Sequence, residues 1–277
     1  MYKVNPYLIN DVKQASVIQT GRSTVVINDQ ELKQYLKDLE SNRIVSVSSK
    51  DLANQFPNKG EEVSRFLLQN RIFSSYEKPT IDYENIFLFS NNDKMTETFN
   101  YLVEDLFDSN RFFLKSSLKE THEVGDGDLV FIFLNPFILE EFLEVVNDIK
   151  QKSAIIKVMF YYNHSIYVSH YSKDKWKNPC PKCFYYSLET QLRGEVTGSG
   201  PNFQTIIDLI YRRVSHFNVE SKLSANDLLP AIESIVRDFK FEQDVDHFIN
   251  KAYEFSIEQG TKQEDLTYHW EMCDCYE

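Results

Sequence analysis

The run Asp128-Leu129-Val130-Phe131-Ile132-Phe133-Leu134 is apolar throughout after its first residue, which is typical of a strand buried on both faces. Two similar runs stand on either side of it, at Asn85–Phe89 and at Ala154–Phe160. Amphipathic helices are predicted in the two intervals, over Thr96–Phe107 and over Phe137–Ile149. Apolar strands that alternate with helices predict a mostly parallel sheet with helices on both faces, which is a Rossmann-like α/β pattern.

Three further segments belong to the same predicted domain. Phe112–Leu114 is predicted as a strand, and Ser165–Val168 is predicted to pair with Ala154–Phe160 across a turn at Asn163-His164. From Phe203 to about Gln259 the apolar spacing predicts helices, the last of which carries Phe248, Tyr253, Phe255 and Ile257.

The first 78 residues have a different pattern. β-Branched residues on both sides of Gly21 predict a hairpin over residues 15–28, and a short strand is predicted over Arg43–Val47. Helices are predicted to start near Asp29, Ser49 and Glu61. A hairpin with three helices is typical of a small winged-helix-like module. Because a linker around Pro79 follows it, two domains are predicted, 1–78 and 79–277.

The chain has four cysteines, in the two tight pairs Cys180-Pro181-Lys182-Cys183 and Cys273-Asp274-Cys275. Two such pairs supply the four thiolates of a tetrahedral Zn²⁺ site, and a shell filled by protein ligands leaves no open position for substrate or water. The spacing therefore predicts a structural zinc ion that holds the second pair against the rest of the domain. His269 is an alternative fourth ligand.

Two other uses of the cysteines stay open. One is disulfide bonding within or between the pairs, although disulfides in such short loops are strained. The sequence also lacks an N-terminal apolar segment of the kind that directs proteins to an oxidising compartment. The other is a thioredoxin-like redox role for Cys180 and Cys183, which leaves the second pair unexplained.

Composition and charge limit the possible classes of function. A formal net charge of −12 disfavours nucleic acid as the main partner. No apolar run approaches the roughly 20 residues that cross a bilayer, so a cytoplasmic protein that does not bind membranes is expected. Glycine is scarce, with eight in the chain, and the segment Ser90–Lys94 after the first buried strand has none. A nucleotide site at this point needs glycines that let the backbone approach phosphate, so no nucleotide is expected on this chain.

The chain resembles the McbB-like subunits of azole-forming (thiazole/oxazole) peptide synthetases. The similarity lies in the small winged-helix-like module, in the Rossmann-like domain without its glycine loop, and in Cys180, Cys183, Cys273 and Cys275. Those subunits belong to the wider ThiF-like, ubiquitin-activating-like class. The resemblance implies a degenerate ThiF-like domain with a helical C-terminal part and a structural zinc site. It also implies a role in modifying a ribosomally made peptide, as in the biosynthesis of bacteriocins and other peptide antibiotics.

By this resemblance, the N-terminal module captures the leader segment of a precursor peptide. The leader adds as a strand to an open sheet edge and packs against the third helix, so that main-chain hydrogen bonds supply the affinity. The matching edge is carried by Ile44, Val45, Ser46 and Val47, and the matching helix face by Val63, Phe66, Leu67 and Asn70. The alternative is that the apolar members of this face are only the core of the module.

The resemblance also implies that residues 79–277 form a scaffold without catalytic residues. This scaffold forms a homodimer and docks a separate YcaO-type, ATP-dependent cyclodehydratase, which converts Cys, Ser or Thr of the peptide into azolines. A flavin-dependent dehydrogenase then oxidises the azolines to azoles, so ATP and flavin belong to the partners and Zn²⁺ to this chain. Two other functions stay open, an adenylating enzyme of the ThiF type and a winged-helix regulator with a metal-sensing domain.

Overall fold

The computed structural model describes residues 1–12, 15–20, 23–42, 44, 46–75, 79–104, 106–107, 109–194, 200–214, 217–240 and 249–275. Val45 of the predicted edge strand, Gly21 of the predicted hairpin turn and Phe248 of the predicted last helix lie outside these residues. The chain divides into two compact units, Met1–Lys78 and Pro79–Glu277. Within the described residues, no helix has the length and apolar character needed to span a bilayer.

The first unit combines short strands with helices. In chain order they are β1 (Tyr2–Val4), β2 (Tyr7–Val12), β3 (Ala15–Thr20), β4 (Thr24–Ile27), α1 (Gln30–Ser41), β5 (Ser46–Val47), α2 (Ser49–Gln55), α3 (Gly60–Gln69) and β6 (Phe73–Ser75). Two antiparallel sheets have the strand orders β2-β3-β4 and β5-β1-β6. The predicted hairpin lies at β3 and β4. The sequence pattern did not predict β1 and β2, because β1 is very short and β2 is largely exposed.

Local signals set the starts of the helices in this unit. The side chain of Asp29 accepts hydrogen bonds from the first backbone N–H groups of α1, and Ser48 does the same for α2. The apolar faces of the helices then pack against the strands. The resulting core includes Ile18, Leu36, Leu52, Leu67 and Phe73.

The second unit contains a seven-stranded sheet and five helices among its described residues. In chain order they are β7 (Ile86–Ser90), α4 (Asp93–Val103), β8 (Phe112–Lys115), β9 (Leu129–Leu134), α5 (Leu139–Gln151), β10 (Ile155–Tyr162), β11 (Ser165–Val168), α6 (Pro181–Gly194), α7 (Phe203–Tyr211), α8 (Ala225–Lys240), β12 (Lys251–Ser256) and β13 (Thr261–Leu266). The strand order is β13-β12-β11-β10-β9-β7-β8.

This sheet is mixed, and the prediction of a mostly parallel sheet is wrong for half of it. The strands β8, β7, β9 and β10 are parallel neighbours, whereas each pairing from β10 through β13 is antiparallel. The direction changes at the tight turn Asn163-His164, whose residues have φ values of 42° and 61°. Such a turn returns β11 directly alongside β10 and leaves no room for a crossover helix.

The segment predicted as a helix through Tyr253, Phe255 and Ile257 instead forms the strand β12, which ends at Ser256, directly before Ile257. These aromatic and aliphatic residues alternate with other residues at a period of two, which suits a strand. Pairing with the edge of β11 then supplies the backbone hydrogen bonds that a helix would have made internally. The C-terminal part is therefore helical over α7 and α8 and ends in a hairpin that widens the sheet.

Helices cover both faces of the sheet. In β9, Val130 and Ile132 point to the face covered by α5, α6 and α7, whereas Leu129 and Phe131 point to the face covered by α4 and α8. Because both faces are buried, the central strands have continuous apolar sequences. The α/β class and the helices on both faces of the sheet, which these sequences predicted, are confirmed.

One ion pair lies inside this core. Lys157 Nζ of β10 is 3.1 Å from Asp238 Oδ2 of α8, and the two side chains are only 1% and 4% exposed. The ammonium group also lies 4.0 Å from the centre of the Tyr171 ring. Burial lowers the pKa of Lys157, and the charge of Asp238 opposes that shift. A charged pair therefore ties α8 to the middle of the sheet.

Candidate metal centre and peptide-binding edge

The two cysteine pairs meet at the start of α6. The four Sγ atoms all lie within 4.8 Å of one another. The Sγ of Cys180 is 3.8 Å from that of Cys183 and 3.6 Å from that of Cys273, and the sulfurs of Cys183 and Cys275 are 3.4 Å apart. All four are free thiols, and these distances are far longer than the ~2.05 Å of a disulfide bond. Three of the cysteines are buried and Cys273 is partly buried.

The sulfur positions fit a tetrahedral zinc shell. With Zn–S bonds of ~2.3 Å, the corners of a regular tetrahedron lie ~3.8 Å apart. The distances of 3.8, 3.6 and 3.4 Å are close to that value. Soft thiolate ligands in a tetrahedral arrangement are also the set typical of Zn²⁺. The four cysteines can therefore hold one zinc ion without any further ligand.

Helix α6 positions the first cysteine pair. Cys180 directly precedes Pro181, the first residue of the helix, and Cys183 lies in its first turn. Proline is favourable at this place because the N–H group that it lacks has no partner inside the helix. The N-terminal end of a helix carries partial positive charge, which favours thiolates over thiols.

Two buried polar side chains fix the loop that leads into this pair. Asn178 Nδ2 donates to the carbonyl oxygens of Tyr171 and Ile249, each at 2.7 Å. His170 Nε2 lies 2.5 Å from the carbonyl oxygen of Pro179. Burial lowers the pKa of His170 to about 4, so the ring is neutral near pH 7 and the Nε2–H group donates to that carbonyl. The loop is therefore held from inside the domain.

The tail that carries the second pair is anchored by an aromatic contact. Trp270 stacks on Tyr186 of α6, with ring centroids 4.3 Å apart and planes 22° apart. The backbone N–H of Cys273 donates to the carbonyl oxygen of Trp270 at 2.9 Å. His269, the alternative fourth ligand, has its Nδ1 atom 3.4 Å from the Sγ of Cys275. His269 therefore lies beside the four cysteine sulfurs (the sulfur quartet). These four sulfurs can supply all four ligands of a tetrahedral site without the histidine.

Hydrogen bonds among the sulfurs distribute charge unevenly over the quartet. The interaction with Cys180 holds the pKa of Cys183 well below its usual range and lowers the pKa of Cys273 to about 7. The interaction with Cys183 raises the pKa of Cys180, and the interaction with Cys180 raises the pKa of Cys275. A divalent cation bound among the sulfurs would supply the positive charge that four thiolates require.

Of the predicted peptide-binding edge, Ser46 and Val47 form β5, whereas Val45 lies outside the described residues. Ser46 and Val47 pair with Lys3 and Tyr2 of β1, and among the described residues no strand pairs with the other side of β5. The side chain of Val47 belongs to the core of the unit, whereas Ile44 is 41% exposed. In the described part of the chain, β5 is thus the edge strand of its sheet, and the side chain of Ile44 just before it is exposed.

The predicted helix face is divided between core and surface. Val63 and Leu67 of α3 are buried in the core of the first unit. Phe66 is partly buried and packs against that core. Asn70 follows the helix, and its Nδ2 donates to the carbonyl oxygen of Phe66 at 2.9 Å. Phe66 and Asn70 remain accessible at the surface, whereas Val63 and Leu67 serve packing.

Asparagines occupy the place where a Rossmann-like domain receives phosphate, at the carboxyl ends of β7 and β9. Asn91 Oδ1 accepts from the backbone N–H of Asn135 at 2.8 Å, and Asn91 Nδ2 donates to the carbonyl oxygen of Pro136 at 2.7 Å. Asn92 caps α4 with its own side chain. Asn135 in turn exchanges hydrogen bonds of 2.8 and 3.0 Å with the backbone of Ser221. The sequence showed only that glycine is missing here, because nothing in the spacing pairs Asn91 with Asn135.

Comparisons with known proteins place this fold. The chain matches the family model for the microcin B17-processing protein McbB over residues 2–277. No curated protein matches its sequence significantly. Among solved structures, it is similar to a chain of the E. coli microcin synthetase McbBCD complex, with 15% identity, a TM-score of 0.71, and coverage of 99% of this chain and 100% of that one. It is also similar to a chain of the E. coli McbBCD complex with pro-MccB17 bound, with 15% identity, a TM-score of 0.53, and coverage of 100% and 99%.

At 15% identity the structural matches show a shared fold. The family match adds more, because it spans both units and includes the four cysteines as well as the N-terminal strands and helices. On this evidence, the chain belongs to the McbB family.

Proposed function

We propose that this chain is a noncatalytic, peptide-binding scaffold subunit of a heterocyclase (cyclodehydratase) complex that installs azolines in a ribosomally made peptide. The observation that carries the proposal is the McbB family match over residues 2–277. The chain binds the leader of the precursor and presents the peptide to a separate YcaO-type, ATP-dependent cyclodehydratase. A flavin-dependent dehydrogenase completes the conversion to azoles. The chain acts as a homodimer, and its partners carry the ATP and the flavin.

The asparagine network at the ends of β7 and β9 supports a scaffold over an adenylating enzyme. A phosphate group at this place needs free backbone N–H groups at the start of the helix. Here the side chain of Asn92 caps α4, and Asn91 and Asn135 link the two loops to each other. Bound ATP would have to displace these hydrogen bonds. The direct test is ATP–pyrophosphate exchange by the isolated protein, for which we expect no activity; robust exchange would favour the ThiF-type enzyme instead.

Residues 1–78 form, in this proposal, a winged-helix-like module that recognises the leader peptide. A leader strand adds to the open edge at Ile44–Val47, so that main-chain hydrogen bonds give affinity and side-chain contacts give specificity. On the edge strand and on α3, the apolar side chains available for contact with the leader are the exposed Ile44 and the partly exposed ring of Phe66. Val63 and Leu67 act indirectly, by holding α3 in place.

Binding of a candidate precursor peptide to the full-length protein tests this module. If Phe66 and Ile44 are anchoring contacts, which belong to the minority of interface residues that cost more than about 1 kcal/mol on truncation, Phe66→Ala and Ile44→Ala should each weaken binding about tenfold. Glu62→Ala, an exposed change on the same helix as Phe66, is the matched control and should bind normally. Fluorescence anisotropy with a labelled leader measures all three. Unchanged affinity in both test variants would remove Ile44 and Phe66 from the proposed site.

We further propose that Cys180, Cys183, Cys273 and Cys275 hold one structural Zn²⁺. The proposal rests on the sulfur distances of 3.4 to 3.8 Å and on the mutual proximity of all four atoms. With four protein ligands the ion has no position for substrate, so it stabilises the C-terminal half and takes no part in catalysis. One equivalent of zinc per chain in the purified protein is the expected measurement.

A further inference from the structure

Strand β13 forms one edge of the seven-stranded sheet. It pairs with β12 along its whole length, Thr261–Leu266, and among the described residues no strand pairs with its other side. All of its residues are exposed. An edge strand carries N–H and C=O groups that another strand can pair with, so proteins usually shorten, bend or cover such an edge. The sequence of β13 contains no proline or glycine, so nothing in it blocks the addition of a further strand.

The charged side chains of β13 divide between the two faces of the sheet. Lys262 Nζ lies 3.3 Å from Glu264 Oε1 and 4.1 Å from the centre of the Tyr253 ring, so these side chains share one face. Asp265 is on the other face, where its Oδ2 accepts from the Nε2 of Gln191 in α6 at 2.8 Å. A lysine and a glutamate therefore lie two residues apart on the same face of an exposed edge strand.

This order of charges favours one register if the strand pairs with a second copy of itself. Two copies can pair antiparallel about a two-fold axis perpendicular to the sheet, which keeps equivalent faces on the same side. An axis through Lys262 places two lysines opposite each other, and an axis through Glu264 places two glutamates opposite each other. An axis through Gln263 places Lys262 of each copy opposite Glu264 of the other. Only this last register is favourable, because opposite charges in facing positions stabilise paired strands and like charges destabilise them.

We propose that two copies of this chain associate through β13, by antiparallel edge pairing centred on Gln263. This inference rests on the homodimer of the proposed function and assigns its contact. The same register places Thr261 of one copy opposite Asp265 of the other, where a hydroxyl can donate to a carboxylate. The other edge strand, β8, has one charged residue within Phe112–Lys115 and lacks this self-complementarity. The pairing joins the two sheets into one and covers both exposed edges.

Charge reversal at the two facing positions tests this pairing in the isolated full-length protein. Lys262→Glu and Glu264→Lys each replace both attractive contacts across the axis with repulsive ones. We therefore expect the dissociation constant of the dimer to rise at least about tenfold in each variant, and to recover in the variant that carries both substitutions. Glu258→Lys is the control, because it makes the same charge change at an exposed residue of the turn before β13. Sedimentation equilibrium at low salt measures all of them, since salt screens exposed charges.

A mixture of the two single variants separates a role in association from damage to the hairpin. In the mixture, a copy with two acidic residues at these positions faces a copy with two basic ones, and both contacts across the axis become attractive. We expect the mixture to form dimers more tightly than either variant alone. A purely local effect of the substitutions would persist in the mixture, because each copy keeps its own substitution.

Each outcome supports or overturns the inference. A monomeric unchanged protein would refute the homodimer of the proposed function, and this inference with it. Dimers that stay intact in both single variants would keep the homodimer but assign it to another surface, which overturns the pairing through β13. Weakened single variants that regain no affinity, either in the doubly substituted protein or in the mixture, would overturn the register centred on Gln263.

Discussion

Replacing Cys273 and Cys275 together with serine should release the zinc ion and destabilise the second unit by a few kcal/mol. A metal bound by both pairs closes a loop of about 90 residues between Cys183 and Cys273, and in the chain-entropy model a cross-link over such a loop stabilises the fold by about 4–5 kcal/mol. For a domain of about 200 residues, each kcal/mol shifts the melting temperature by roughly 2–4 °C. A decrease of about 10–15 °C is therefore expected.

Thermal unfolding followed by circular dichroism, together with the zinc content of each sample, tests this estimate. The unchanged protein should lose the same stability when a strong chelator is added, whereas the double variant should not respond to the chelator. Met272→Ala is the matched control, because Met272 directly precedes Cys273 in the tail and its side chain is 81% exposed. Its melting temperature and zinc content should stay the same.

The double variant is also the sharpest way to refute the reasoning. If it retains one zinc per chain, the ion is bound elsewhere and the sulfur quartet is not its site. If the double variant lacks zinc but has the same melting temperature as the unchanged protein, the ion does not act as a cross-link. Mass spectrometry after alkylation of the native protein would identify disulfides, which would replace the metal explanation altogether.

Three further predictions concern the fold around the sites. Lys157→Met should cost about 3–5 kcal/mol in urea unfolding because it leaves Asp238 buried without its partner, and Lys157→Met with Asp238→Leu should regain most of that loss; a single variant within 1 kcal/mol of the unchanged protein would contradict this account. Leu67→Ala should lower the free energy of unfolding of the first unit by about 2–5 kcal/mol, because it leaves a cavity in the core. Any loss of peptide affinity should then disappear when the affinities are calculated from the concentration of folded protein. Asn92→Ala should cost about 1 kcal/mol by removing the cap of α4 and should not create ATP binding, which isothermal titration can check.

The central strands were predictable because a strand that is buried on both faces has a continuous run of apolar residues. The apolar run at 128–134 is β9, and its neighbours β7 and β10 are equally continuous. The cysteine spacing predicted the meeting of both pairs, because ligand chemistry restricts the arrangements of four thiols. Both predictions depend on local composition, which a single sequence records directly.

Features that depend on distant partners were harder to predict. The apolar residues around Phe255 fit the spacing of a helix and of a strand. The segment forms a strand because it can pair with the edge of β11, which is distant in sequence. Along α3, the apolar pattern grouped Phe66 with Val63 and Leu67, whereas the packing of the unit buries Val63 and Leu67 and leaves Phe66 partly exposed. The contact of His269 with Lys177 spans 92 residues and has no periodicity that could reveal it.

The order of ligands along the chain has a consequence during synthesis. Cys180 and Cys183 leave the ribosome about 90 residues before Cys273 and Cys275, which at ~5–20 residues per second is a delay of roughly 5–20 s. Throughout that interval a nascent chain exposes two thiols that can capture a metal incompletely or react with other thiols. A four-sulfur zinc site would then become available only after the second pair has been synthesised.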